Sequence, residues 1–384
     1  MASHRSDIDP FHVMEVMRAA EDRERAGGDV LHLEVGQPST PAPTPIRNAA
    51  AAALVDDRLG YTNAKGVPAL RKGLAGWYRD RHAIEVDPEN ILVTMGASGG
   101  FSLAFLAAFD VGDRVAVTAP GYPCYRNTLR AFGVEVVEVP VGAETRFVPT
   151  PELLDAVRPL DGLVIASPSN PTGTVLTDAE LAALVEWSER NDVRLVADEI
   201  YHGITYGEPA PTVLAHTADA VLLQSFSKYW SMTGWRLGWI VAPAELVRPM
   251  ERLAQNLFIS AATVSQLGAL AAFDAETVAE ADAHVERYAA NRQVVLAGLD
   301  EMGCPTAPAD GAFYAYAEVS HLGIPAPELC SRWLDELGVA VTPGIDFDPA
   351  RGERFIRISF SESTADVTEA MRRLVEWTRS RAVS

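Results

Sequence analysis

A regular alternation dominates this chain. Six short apolar runs, "ILVT" from Ile91, "RVAVT" from Arg114, "LVIAS" from Leu163, "RLVADE" from Arg194, "VLLQSFS" from Val221 and "GWIVAP" from Gly238, alternate with amphipathic segments rich in Ala and Leu. Strand and helix in turn make a largely parallel sheet covered by helices, so the fold class is α/β. One covering helix is marked at its start. "TDAELAALVEWSER" offers Thr177 as N-cap with Glu180 three residues later, a capping box ahead of apolar positions at helical spacing.

After about Asp282 the texture changes. Long helical segments give way to "GAFYAYAEV" and "ERFIRISF", two alternating strand-like runs around a helix at Ala326 to Leu337, which fits a smaller α+β domain. The expected division is a large domain over 46–282, and a small domain over 283–384 joined by the N-terminal segment 1–45. That segment holds a helix and the Pro-rich "GQPSTPAPTP", too short for a domain of its own, and is expected to pack on the C-terminal part or on a partner subunit.

Composition removes several function classes. A hydrophobic content of 48% supports a substantial core. The net charge of −20 argues against nucleic acid or an anionic membrane as the main partner, because both demand basic surface. Cys124, Cys304 and Cys330 form no CxxC pair and no metal-like cluster, as expected of unpaired buried thiols in a reducing compartment and of a protein without a metal. The first ten residues, "MASHRSDIDP", lack the apolar core of a signal peptide, and a cytoplasmic location is the expectation. Two uncharged runs, 91–109 and 253–273, approach membrane-spanning length. The first is broken by "GASGG" and the second carries six polar residues, so both are expected to be buried elements of a globular core.

One stretch concentrates the chemistry. "SFSKYWSMTGWRLGW", Ser225 to Trp239, places Lys228 among aromatic, hydroxyl and glycine residues, with Arg236 eight positions on. A lysine in such company is either a desolvated amine, able to form Schiff bases with carbonyl compounds, or a snorkelling side chain at the end of a buried strand. In an open parallel sheet ligands bind beyond the carboxyl ends of the strands, so the residues just after each run discriminate. "MGASGG" comes after the first, "APGYPCY" with Tyr122 after the second, "PSNPTG" with Asn170 after the third, and "DEIY" with Asp198 and Tyr201 after the fourth. Each piece has an ordinary reading: a turn, an N-cap, a half-buried aromatic ring. Together they supply a phosphate cup, an aromatic plate, a carboxylate, phenol and amide donors and an amine nucleophile, which is what a pyridoxal phosphate site requires.

With those motifs, from "LEVGQP" through "SNPTG", "DEIY" and "SFSKYWSMTGWRLGW" to "FIRISF", nearly the whole chain resembles the class I/II aminotransferases, pyridoxal-phosphate enzymes of fold type I. The resemblance implies a seven-stranded sheet in the large domain, pyridoxal 5'-phosphate as cofactor, and an amino acid and a 2-oxo acid as substrates. It further implies that Lys228 anchors the cofactor covalently and acts as the base, with Asp198 facing the pyridine nitrogen. Asn170 and Tyr201 would donate to the ring oxygen, Tyr122 would stack on the ring, and Ala97, Ser98, Ser225 and Arg236 would form the phosphate cup. Arg357, in "FIRISF", matches the clamp for the substrate carboxylate, assisted by Asn170 and the backbone near Gly36; its alternative is a structural arginine in an edge strand. Tyr61, in "GYTNAKG", resembles a tyrosine that reaches the neighbouring subunit's phosphate, which implies a homodimer with shared active sites.

Substrate choice turns on a missing charge. A dicarboxylic substrate needs a second cation, and the family resemblance implies that one common source is the partner subunit's segment after the cofactor lysine; yet no Arg or Lys lies between Arg252 and Arg287, nor in "FSLAFLAAF", and Leu257, Phe258 and Ile259 of that segment would instead line the pocket with apolar surface. The expected donor is therefore a neutral aliphatic amino acid such as valine or alanine, with pyruvate or 2-oxoglutarate as acceptor. Aspartate is the alternative donor. A β-lyase, or a synthase acting on adenosylmethionine, would use the same scaffold. A transcription regulator would need a DNA-binding domain for which there is no room before Pro45, and an inactive homologue would not keep Lys228, Asp198 and Arg357.

Overall fold

The computed structural model describes residues 3–382. Seven strands form the main sheet: β2 (Ile91–Thr94), β3 (Arg114–Ala119), β4 (Glu135–Pro140), β5 (Gly162–Ala166), β6 (Arg194–Asp198), β7 (Val221–Ser225) and β8 (Gly238–Val241), in the order β2-β8-β7-β6-β5-β3-β4. The short β1 (Leu31–His32) lies outside it. Strand β8 alone runs against the others, pairing antiparallel with both β2 and β7. Its first residue therefore lies at the same edge as the last residues of its neighbours.

Six of these strands are the six apolar runs. The seventh, β4, is a half-exposed edge strand whose "EVVEVP" carries Glu135 and Glu138, so it presents no continuous apolar run. Helix α1 (His12–Arg25) leads the chain; α2 (Thr44–Asp56), α3 (Pro68–His82), α4 (Gly96–Ala108), α5 (Pro123–Phe132), α6 (Pro151–Asp155), α7 (Asp178–Arg190), α8 (Ala244–Leu257) and α9 (Thr263–Ala269) accompany the large sheet. The capping box of α7 forms in both directions, Glu180 N–H to Thr177 Oγ1 at 3.2 Å and Thr177 N–H to Glu180 Oε2 at 2.7 Å.

The 27-residue α10 (Ala275–Glu301) leads into a second sheet. There β12 (Phe355–Ser359) lies between β9 (Tyr314–Glu318) and β11 (Thr342–Pro343), antiparallel to each, with α11 (Ala326–Leu337) and α12 (Thr364–Ala382) packed around it. The N-terminal segment joins this half: β1 pairs in parallel with β10 (Val339–Ala340), and α1 packs against β10 and β11. Cys304 and Cys330 are buried and Cys124 is half-buried, all three as free thiols. Among the described residues no helix is long and apolar enough to cross a membrane.

Beneath the Lys228 loop lies an aromatic block. Phe226 packs on Trp239 (4.9 Å between ring centroids) and on Trp230 (5.0 Å), and Trp230 packs on Trp77 (5.1 Å). The indole N–H groups are satisfied, Trp230 by Ala272 O and Trp239 by the Tyr78 hydroxyl, both at 3.0 Å. Each aromatic pair contributes about 0.5–1.5 kcal/mol beyond area burial. The aromatic residues around Lys228 thus anchor its loop, leaving Ser225, Ser227 and Lys228 to face the cleft.

Candidate active site

Strands β5, β6 and β7 end, and β8 begins, at one edge of the large sheet. Two adjoining cavities of about 170 and 650 Å³ open there, and both are lined by Met14, Val35, Gly36, Tyr122, Ile200 and Lys228. They form one cleft, of a size to hold a cofactor and a small substrate. A separate surface cleft of about 740 Å³ lies at the opposite edge, lined by Asp161, Glu189, Asp192, Asp219 and Glu245. Its carboxylates repel an anionic cofactor.

At the buried end of the first cleft, Asp198 closes β6. Its Oδ1 accepts the Ile200 N–H at 3.0 Å, and its Oδ2 accepts the Tyr125 hydroxyl. Burial pushes the Asp198 carboxyl up to about 6, while these two hydrogen bonds and the Lys228 charge pull the other way. The next residue, Glu199, turns away from the cleft and accepts from Val213 N–H (2.7 Å) and the Thr212 hydroxyl (2.9 Å), with burial pushing it up to about 8. Chain alternation at the strand end thus delivers one carboxylate to the cleft and one to the core.

Lys228 is half-buried, and its Nζ donates to the Gly36 carbonyl at 2.6 Å. Burial pushes its pKa down to about 7, reinforced by the charges of Arg357 and Arg236 and opposed by Asp198. An amine in that range is free base in substantial fraction near neutrality, as a general base must be. Tyr201 presents its hydroxyl to the Tyr314 hydroxyl at 2.8 Å, and its ring lies 5.6 Å from Lys228 Nζ. Tyr122, the residue before α5, lines both cavities.

The open end is a cup for an anion. Ala97 and Ser98 lie in the first turn of α4, whose N-terminus has no side-chain cap, and Ser225, Ser227, Thr233 and Arg236 complete the lining. Uncapped N–H groups beside a guanidinium make a phosphate site. Arg236 reaches the cup because β8 is antiparallel: residues just before β8 stand beside residues just after β7. Arg236 takes a left-handed backbone (φ +52°), and Gly96 at φ +69° makes room for it. A Cβ on Gly96 would stand 2.3 Å from Arg236 Nη2.

Arg357 enters from β12. The guanidinium lies over the Tyr314 ring (4.4 Å) and the Phe347 ring (4.8 Å); Nη1 donates to Asn170 Oδ1 at 3.0 Å and Nη2 to the Glu34 carbonyl. Its Nε, although buried, has no partner. Such an unsatisfied donor in a dry, aromatic setting suits a carboxylate ligand. Gly36 closes the wall opposite, where any Cβ would stand 1.7 Å from the Tyr314 hydroxyl.

These observations test the fit of pyridoxal phosphate. A buried carboxylate, an amine of lowered pKa, an aromatic wall and an uncapped helix N-terminus with an arginine line one cleft, and the residues fit the group. The structure brings together Gly36, Ala97, Ser98, Tyr122, Asn170, Asp198, Tyr201, Ser225, Lys228, Arg236 and Arg357. Tyr61 stands apart, 84% exposed and lining neither cavity. Sequence reasoning misses Tyr125, Tyr314, Phe11, Val13 and Met14. Tyr125 is within its reach: it lies in the first turn of α5, three residues after Tyr122, and its ring meets the Tyr122 ring at 5.4 Å.

Comparison with known proteins agrees with this geometry. The family described as aminotransferase class I and II matches residues 28–374. Valine--pyruvate aminotransferase of Mycobacterium tuberculosis is 50% identical over 377 residues, covering 97% of each chain, and the aspartate/prephenate aminotransferase of Thermus thermophilus is 33% identical over 372 residues, covering 95% of each. A crystal structure of an aminotransferase from Mycobacterium tuberculosis superposes with a TM-score of 0.97 at 49% identity, over 99% of both chains. The chain belongs to the class I and II aminotransferases, enzymes that use pyridoxal phosphate to exchange amino groups between amino acids and 2-oxo acids.

Proposed function

We propose that this aminotransferase takes its amino group from a neutral aliphatic L-amino acid of the valine or alanine type and passes it to pyruvate or 2-oxoglutarate. The observation that carries the reading is a count of cations. Lys228, Arg236 and Arg357 are the only Lys or Arg residues lining the cleft among the described residues. The base, the phosphate and the substrate α-carboxylate require one each, which leaves none from this chain for a second carboxylate. The remaining wall, Phe11, Val13, Met14 and Val35, is apolar. An unpaired carboxylate placed there would lose several kcal/mol, on the order of the cost of any buried charge without a partner. The 50% identity to a valine--pyruvate aminotransferase supports the same choice.

Bound pyridoxal phosphate supplies the electron sink that lets a proton leave the substrate α-carbon. Lys228 Nζ would anchor the cofactor and would accept and return a proton at the donor's α-carbon. Asp198, whose ionised form is favoured by Tyr125 and the Ile200 N–H, would pair with the pyridine nitrogen and favour its protonated form. Asn170 and Tyr201 would donate to the ring oxygen, and Tyr122 would stack on the ring. The α4 N-terminus at Ala97 and Ser98, with Ser225 and Arg236, binds the phosphate. Arg357 grips the substrate carboxylate, aided by Asn170 and the Gly36 backbone. Tyr61 of the partner subunit completes the phosphate site in a homodimer. Exposed apolar side chains at Tyr61, Leu257 and Ile259 are surface of the kind a second copy covers.

The test is a single-turnover experiment: cofactor-loaded protein mixed separately with valine, alanine, glutamate and aspartate, following the cofactor's absorbance. Valine and alanine should convert it to the amine form, and pyruvate should restore it. Faster conversion by aspartate would replace the donor, and steady release of ammonia would identify a lyase.

A further inference from the structure

Helix α1 begins without a cap of its own: Phe11 precedes it and offers no side-chain hydrogen bond to its first N–H groups. The cap comes from Asp346, more than three hundred residues away. The Asp346 carboxylate is fully buried; Oδ1 accepts the His12 N–H at 3.1 Å and Oδ2 the Val13 N–H at 3.0 Å. A carboxylate spanning two orphan donors at the positive end of a helix is a strong and directional anchor.

The anchored turn carries the cleft's apolar wall. Phe11, Val13 and Met14 line the cavity that holds Lys228 and Arg357, and Phe11 meets the Tyr122 ring edge-on at 5.9 Å. Asp346 is also tied to both sides of the cleft. It comes shortly after β11, whose Thr342 pairs with Arg357 on β12, and the neighbouring Phe347 ring lies against the Arg357 guanidinium. Toward the large sheet, the Asp346 carbonyl accepts Arg126 Nη2 at 2.7 Å, and the Phe347 carbonyl accepts the Gly121 N–H at 3.0 Å, next to Tyr122.

We propose that Asp346 is a positioning residue for substrate selection: it fixes the Phe11–Met14 turn to the same small-domain strands that carry Arg357, so that gripping the α-carboxylate and enclosing the side chain occur on one rigid unit. Asp346 lines neither cavity. Its effect reaches the donor only through Phe11 and Met14, and so grows with the length of the donor's side chain. A longer aliphatic side chain offers more apolar surface to that wall than a methyl group does.

The inference rests on the aliphatic-donor reading, and Asp346→Asn in the cofactor-loaded full chain tests it separately. Asparagine keeps one acceptor but sets an N–H₂ against the second helix N–H and removes the charge. The KM for valine should rise about tenfold, the scale of a lost cap, with kcat within about twofold and the KM for alanine nearly unchanged. The cofactor's absorbance should not move. Hydrogen exchange of the 12–15 amides should accelerate in the variant, a readout independent of any substrate. Met14→Ala should reproduce the valine effect without faster exchange. Equal losses for valine and alanine, or unchanged exchange at 12–15, would overturn the role of Asp346. If wild type fails to use valine, the donor reading falls, and the exchange measurement alone decides the inference.

Discussion

The floor and the wall of the cleft are built in opposite ways. The floor, Asp198, Ser225, Lys228 and the α4 N-terminus, comes from the ends of neighbouring strands of one sheet, with some of its bonds local and others, such as Lys228 Nζ to the Gly36 carbonyl, reaching the wall. Asp198 accepts from Ile200, and Ser225 Oγ accepts from Ser227 N–H at 3.0 Å. The wall joins Glu34, Gly36, Asn170, Tyr314, Asp346 and Arg357, and its bonds span most of the chain, such as Arg357 to the Glu34 carbonyl and Asp346 to His12. A floor fixed by secondary structure suits chemistry that needs a constant geometry. A wall assembled from separate segments brings groups distant in sequence together around the substrate.

That contrast makes floor variants fail in kcat and wall variants fail in KM. The largest effect is expected from the floor. Lys228→Ala removes both the covalent anchor and the base, so turnover should fall by roughly 10⁴-fold or more, while cofactor still binds non-covalently in the cup. Rapid mixing with valine would show it. Turnover near the wild-type rate would remove Lys228 from the chemistry and erase the distinction.

Arg357→Lys tests the wall. Lysine keeps the charge but loses the planar fork and the stacking between Tyr314 and Phe347. The value of kcat/KM should drop about 10²-fold, carried by KM, with the cofactor's absorbance unchanged. A loss confined to kcat would mean that Arg357 acts on the reacting atoms and belongs to the floor.

The same contrast decides what the sequence discloses. Asp198, Asn170, Tyr122 and Lys228 are legible because each comes after an apolar strand, and a parallel sheet delivers such residues to one edge. Arg236 obeys the mirror rule, since it precedes the only strand running the other way, and the resemblance rather than the strand pattern assigns it. The edge strand β4 escapes a search for apolar runs because Glu135 and Glu138 interrupt its apolar positions. On the wall, Asn170 is anticipated from its place after β5, and Gly36 and Arg357 from the family resemblance. Nothing local in "TPGIDFDP" says that Asp346 caps a helix near the other end of the chain, and nothing in "GAFYAYAEV" says that Tyr314 supports an arginine on the neighbouring strand. Such pairings are set by tertiary packing, which periodicity does not encode.

Tyr125 lies between floor and wall in this sense, and its removal gives the smallest and most diagnostic effect. The Tyr125 hydroxyl donates to Asp198 and favours the ionised carboxylate against burial. With the Asp198 pKa raised to about 6, above its unfolded value, the folded apo-protein binds the proton more tightly than the unfolded chain does. This group's contribution therefore favours folding most at low pH and declines as pH rises from about 4 to about 6, by on the order of 1 kcal/mol per pH unit. A protonated pyridine nitrogen in a bound cofactor would oppose that rise in the Asp198 pKa. In Tyr125→Phe burial acts with less opposition, so the acid limb of kcat should move to higher pH and kcat near neutrality should fall roughly tenfold, the worth of a hydrogen bond to a charged group. At a pH two units above the shifted limb the loss should shrink, since Asp198 is ionised there in both proteins. A loss independent of pH would instead assign Tyr125 to packing beneath Tyr122, and the measurement is one kcat–pH profile for each protein with the same donor.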